Sequence, residues 1–92
     1  MSKLTLLKDM DEEALSLALG LEDAAIVLFQ DAVYMARESP LLAEEAKRRP
    51  IYVLGVDAAR RGLDAGQLKG LLSIGYGEFV DLVLSGAEVI NL

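Results

Sequence analysis

The sequence contains no cysteine and no histidine. Those two absences exclude the usual zinc and iron–sulfur sites, whose ligands are thiolate and imidazole. They also exclude Ser–His and Cys–His nucleophilic pairs. Without a thiol, the chain cannot carry sulfur as a persulfide. Carboxylate, lysine and tyrosine are the acid–base groups that remain. Basic residues are few, nine against fifteen acids, for a net charge of −6. A duplex-binding protein normally shows a basic footprint, so direct nucleic-acid binding is not expected. Long apolar runs are missing too. The longest, Ala24 to Phe29, falls far short of the roughly 20 residues of a membrane-spanning helix. Met1-Ser2-Lys3-Leu4 lacks the apolar stretch of an export signal. With no cysteine to suit an oxidising compartment, a cytoplasmic location is expected. Phosphate-binding fingerprints are absent: there is no G-x-x-x-x-G-K-[ST] and no G-x-G-x-x-G. No metal and no cofactor is expected.

What is present is apolar. Of the 92 residues, 53% are hydrophobic, and the mean hydropathy is +0.35. The length corresponds to one domain, residues 1–92. A chain this short buries only about 60–65% of its unfolded surface. The apolar excess therefore implies a sheet covered on both faces, or apolar surface buried against another subunit.

Two periods alternate along the chain. Leu4 to Leu7 reads as a first strand, and Met10 to Leu19 as a helix with Asp9 as its cap and Gly20 as its stop. Ala24 to Gln30 is a continuous apolar strand of the kind buried on both faces. Asp31 is placed to cap a helix over Ala32 to Arg37, and Ser39-Pro40 opens another that Pro50 ends. Ile51 to Gly55 is a third strand, Asp57 to Gly62 a short helix, and Leu63 to Gly70 a loop. Leu71 to Ile74 is a fourth strand, Gly75-Tyr76-Gly77 a turn, Glu78 to Leu84 a helix, and Val89-Ile90 a short edge strand. This alternation predicts an α/β fold with helices on both faces: a three-layer α/β/α sandwich around a mostly parallel sheet of about five short strands.

In such sheets ligands bind beyond the carboxyl ends of the strands. Asp9, Asp31 and Asp57 fall there and invite comparison with a magnesium-binding receiver domain. The last strand region, Glu88 to Leu92, has no lysine, which argues against receiver chemistry, and helix capping accounts for the three acids. Dipole compensation likewise accounts for Arg60-Arg61, with an interface role as the functional alternative. Tyr34, Tyr52 and Tyr76 suit core margins and interfaces equally. The residues alone therefore favour a binding or assembly role over catalysis.

Three segments, in order, resemble the DsrH/TusB family of sulfur-relay proteins. They are Val27-Leu28-Phe29-Gln30-Asp31-Ala32-Val33-Tyr34, then Ile51 to Leu63 with its Asp57-Ala58-Ala59-Arg60-Arg61-Gly62 stretch, and Tyr76-Gly77-Glu78-Phe79-Val80-Asp81-Leu82. Their order, spacing and total length match together. The sequence departs from the family where Ala32 replaces a usual Gly, Gly75 an Asp and Arg60 an Ala. It also lacks the family's frequent early His and late Trp. Some relatives carry a cysteine on the first helix, and counting back from Asp31 puts Ser16 there.

The resemblance implies an α/β/α sandwich that acts by assembly. DsrH-like chains join DsrE-like and DsrF-like (TusD/TusC-like) subunits in hexameric complexes in which a partner's cysteine holds the sulfur. Such complexes serve 2-thiolation of the tRNA wobble uridine or dissimilatory sulfur oxidation. The expectation is a non-catalytic, cysteine-free subunit of a cytoplasmic sulfur-relay complex. Its interface or rim candidates are Asp31, Tyr34, Asp57, Arg61, Tyr76 and Phe79. The alternative is a stand-alone homo-oligomer that binds a small anion or nucleotide at the strand-end rim.

Overall fold

A computed structural model describes residues 3–92; Met1 and Ser2, part of the segment read above for an export signal, lie outside the described residues. Five strands form one sheet in the order β4-β3-β2-β1-β5, and every neighbouring pair is parallel. The strands are β1 Lys3–Leu7, β2 Ala24–Leu28, β3 Ile51–Leu54, β4 Leu72–Ile74 and β5 Glu88–Asn91. The helices are α1 Glu12–Gly20, α2 Met35–Glu38, α3 Pro40–Glu45, α4 Gly55–Arg60 and α5 Tyr76–Val83.

The strand order determines which face each helix covers. From β1 to β4 the chain steps three times in one direction, and then returns across the whole sheet to place β5 beside β1. Parallel crossovers are right-handed, so steps in opposite directions put their helices on opposite faces. One face accordingly carries Leu7, Ile26, Leu28, Ile51 and Val53, packed with Ala14, Leu15 and Ala18 of α1, Met35 and Ala36 of α2, Leu42 of α3 and Ala58 of α4. The other carries Leu4, Leu6, Ala25 and Val27, packed with the half-buried Phe79, Leu82 and Val83 of α5. The α/β/α sandwich is therefore strongly unequal in its two outer layers.

Several boundaries differ from the sequence expectation, each for a local reason. Asp11, not Asp9, caps α1, its carboxylate accepting from the amides of Glu13 and Ala14 at 2.9 and 3.2 Å. β2 ends at Leu28. A 3-10 turn, Gln30–Tyr34, then precedes α2, so Asp31 caps no helix. α4 starts at Gly55, ahead of Asp57. A side chain at Gly55 would put its Cβ 2.7 Å from Ser73 Oγ, so glycine keeps β4 close to this turn. Gly62, at φ +76°, stops α4 as expected. The Leu63–Gly70 loop holds a 3-10 turn, Ala65–Leu68, closed by reciprocal Asp64–Gln67 hydrogen bonds. α5 begins at Tyr76 rather than Glu78, because Glu78 Oε1 reaches back to the Gly75 amide at 3.1 Å and fixes the helix start there.

Arg49 ties the end of the α3 segment to the sheet. Its guanidinium is buried, pairs with Glu45 at 2.9 Å, and donates to the carbonyls of Leu19, Leu21 and Ala24. Burial lowers its pKa, as does the neighbouring charge of Arg48, while Glu22 acts in the opposite sense. The guanidinium stays protonated at neutral pH regardless. Of the three consecutive basic residues Lys47, Arg48 and Arg49, one thus has a long-range structural role.

Candidate functional site

After β3 the chain turns to α4 on one face; after β4 it turns to α5 on the other. Consecutive connections that part in this way leave a crevice at the carboxyl ends of their strands, the usual ligand position in open parallel sheets. A cleft of about 680 Å³ lies there, lined by Phe29, Gln30, Asp31, Leu54, Asp57, Arg60, Arg61, Tyr76 and Phe79. Five of the six sequence candidates meet in it: Asp31, Asp57, Arg61, Tyr76 and Phe79.

The sixth, Tyr34, lies elsewhere. It packs against the core of the thicker face, with the Arg37 guanidinium 5.6 Å from its ring centroid.

The acids of the cleft are committed to holding it together. Asp57, only 8% exposed, accepts a hydrogen bond from the Gln30 amide at 2.6 Å. Gln30 sits at φ +50°, a left-handed conformation uncommon outside glycine. The charged acceptor therefore steadies a turn that its own sequence disfavours. Arg61 Nε donates to Asp31 Oδ1 at 3.0 Å and its Nη1 donates to the Asp57 carbonyl at 3.2 Å. One arginine thus bridges the turn after β2 and the helix after β3. The opposite wall is aromatic. The Phe29 and Phe79 rings lie 5.5 Å apart, and Tyr76 meets Phe79 edge-on at 6.2 Å. Arg60 lines the cleft with no hydrogen-bond or ion-pair partner among the described residues. The arrangement offers one uncommitted guanidinium beside an aromatic wall, which can hold a planar or anionic group. It offers no thiol or imidazole to attack one.

Sequence reasoning left four lining residues out of its candidates: Phe29, Gln30, Leu54 and Arg60. Phe29, Gln30 and Leu54 end strands in the sequence reading and Arg60 lies in the short helix after the third, so adjacency to Asp31 or Arg61 was the available signal for all but Leu54. No group of three or more carboxylates with metal-binding geometry occurs among the described residues.

A second depression, about 630 Å³, lies between α1 and the α2–α3 pair, on the thicker face. Met10, Leu15, Leu19, Met35 and Leu41 make it mainly apolar, and Ser16 opens into it. Ser16 is exposed and is remote in sequence from every residue of the strand-end cleft.

Comparison with known proteins agrees with this architecture. A model of the DsrH-like protein family matches residues 9–89. A conserved protein of unknown function from Bacteroides thetaiotaomicron has a similar solved structure, with a TM-score of 0.75 and 14% sequence identity over 99% of this chain and 95% of that one. At that identity the likeness shows the fold alone. No curated protein matches the chain. No helix among the described residues is long and apolar enough to cross a membrane. The family match covers most of the sequence and includes all three segments singled out above: the chain belongs to the DsrH-like family, a family of sulfur-relay type.

Proposed function

We propose that this chain is a non-catalytic subunit of a cytoplasmic sulfur-relay complex, contributing shape and contact surface while a DsrE-like or DsrF-like partner carries the persulfide. The observation that carries the reading is the pairing of DsrH-like membership with a sequence that has no thiol. Ser16, where some relatives have a cysteine, bears a hydroxyl, which cannot form a persulfide. The strand-end cleft supports the same reading: its carboxylates hold backbone and guanidinium groups in place. The end use would be 2-thiolation of the tRNA wobble uridine or dissimilatory sulfur oxidation.

A second reading rests on a specific feature of the cleft. The unpartnered Arg60 beside Phe29, Tyr76 and Phe79 suits a small anion or nucleotide bound by a self-associating chain. Native co-purification of the tagged chain, with persulfide labelling and mass measurement, separates the two. A stoichiometric labelled companion is expected. Recovery of this chain alone, at the mass of a homo-oligomer, would overturn the relay reading in favour of the second.

A further inference from the structure

We propose that the outer side of α5 docks an amphipathic helix of a partner protein, one whose apolar stripe is flanked by lysine or arginine. The inference rests on the reading of this chain as an assembly subunit and names the surface and the chemistry of the contact.

The first observation is that α5 is apolar on two sides. Phe79, Leu82 and Val83 turn toward the sheet and are half-buried. Tyr76, Val80 and Leu84, each four residues apart, form a second stripe that is 65%, 43% and 77% exposed. A helix apolar around most of its circumference is ordinarily buried. Here no residue of α5 is fully buried. The helix forms the thinner layer of the sandwich, and among the described residues no other helix shares that layer.

The second observation is charge. α5 carries Glu78 and Asp81 and no basic residue. Both acids line a shallow depression with Tyr52, Ile74 and Leu82, which places them on the β3–β4 side of the helix. Glu78 caps the helix start, and Asp81 has no ion-pair partner among the described residues. By helical spacing Asp81 neighbours Leu84 at the edge of the exposed stripe, while Glu78 lies farther round beside Leu82. The stripe therefore has one free acid at its edge, and its complement is an apolar stripe with a basic flank. A second copy of this chain is the poorer occupant. Antiparallel pairing of two α5 helices about a two-fold axis sets each acidic flank against its equivalent, in a chain of net charge −6.

The test uses the whole chain and two synthetic helical peptides that share one leucine stripe, flanked by lysines in the first and by glutamates in the second. NMR titration with the lysine peptide should move the amides of residues 76–84. The glutamate peptide should bind about tenfold or more weakly, the size of effect expected for opposed charges at a contact rim. Leu84→Asp and Val80→Asp should each abolish the lysine-peptide footprint, although they add negative charge; this separates apolar docking from simple attraction to an acidic protein. Both positions are exposed, so their thermal unfolding should match the parent, and Leu84→Ser serves as a milder check. Equal binding of the two peptides, no binding, or a footprint on the Met10–Leu41 groove would overturn the proposal. So would a chain dimer that Leu84→Asp dissociates.

Co-purification with the Leu84→Asp chain separates this proposal from the one it rests on. Loss of a persulfide-labelled companion supports the docking surface. Retention of the companion overturns the surface and leaves the relay reading standing. If the parent chain has no companion, the relay reading fails while the peptide footprint still decides the surface.

Discussion

The two faces of the sheet are built from similar strand residues but are finished to different degrees. Behind one face, α1, α2, α3 and α4 close over Leu7, Ile26, Leu28, Ile51 and Val53, all of them essentially inaccessible. Behind the other, α5 is the one helix among the described residues that covers Leu4, Leu6, Ala25 and Val27, and its own contact residues remain half-exposed. The inequality follows from topology, since three crossovers run one way and one runs back. The thicker face holds most of the fully buried side chains among the described residues. The thinner face retains exposed apolar surface at Tyr76, Val80 and Leu84.

Truncation on each face tests this difference most strongly. Leu28→Ala removes a fully buried side chain from the thicker face and should cost about 3 kcal/mol, within the range for cavity-forming leucine replacements. Leu82→Ala on α5 should cost about 1 kcal/mol, because a half-exposed leucine loses less burial and leaves a gap that water can enter. Urea denaturation of both variants gives the comparison directly. Equal losses would mean that α5 is as firmly seated as the other helices, and the picture of an unfinished face would fail.

The sequence made the architecture readable because the two hydrophobic periods alternate cleanly. Ala24 to Leu28 is continuous and apolar because it is buried on both faces, and it was readable as such. The strand order was not readable. Nothing local in Val89-Ile90 indicates that β5 crosses to the far side of β1. The meeting of Asp31, Asp57, Arg61, Tyr76 and Phe79 was half readable, since all lie near strand or helix ends. Their partners were not. Asp57 looks like a helix cap in sequence, yet its carboxylate accepts from Gln30, 27 residues away. The same local reasoning placed a turn at Gly75-Tyr76-Gly77, where Gly75 alone stands outside the helix. That misplacement hid the spacing of Tyr76, Val80 and Leu84.

The cleft is where the two layers meet at the strand ends, and Asp57 is its main tie. Asp57→Ala removes a nearly buried charged acceptor from the Gln30 amide and should lower stability by about 2 kcal/mol. Asp31→Ala, which loses only an exposed ion pair with Arg61, should cost less than about 1 kcal/mol. Thermal melts at low and high salt check the distinction. The Asp31 loss should shrink with salt, while the Asp57 loss should persist. Matching losses for both variants would show that the cleft is held by surface charge.

The final comparison concerns a flaw in the better-finished face. Thr5 pairs in register with Ile26, and its neighbour Leu7 points into the thicker core. Its side chain is fully buried, and Oγ1 has no hydrogen-bond partner among the described residues. A buried hydroxyl without a partner keeps its desolvation cost and returns nothing. Thr5→Val replaces it with a methyl group of similar shape and suits a central parallel strand. The replacement should raise stability by about 1 kcal/mol, read as a higher urea midpoint at unchanged slope. A loss of similar size would mean that Oγ1 is satisfied in solution by a buried water, and that the thicker face is less dry than its packing indicates.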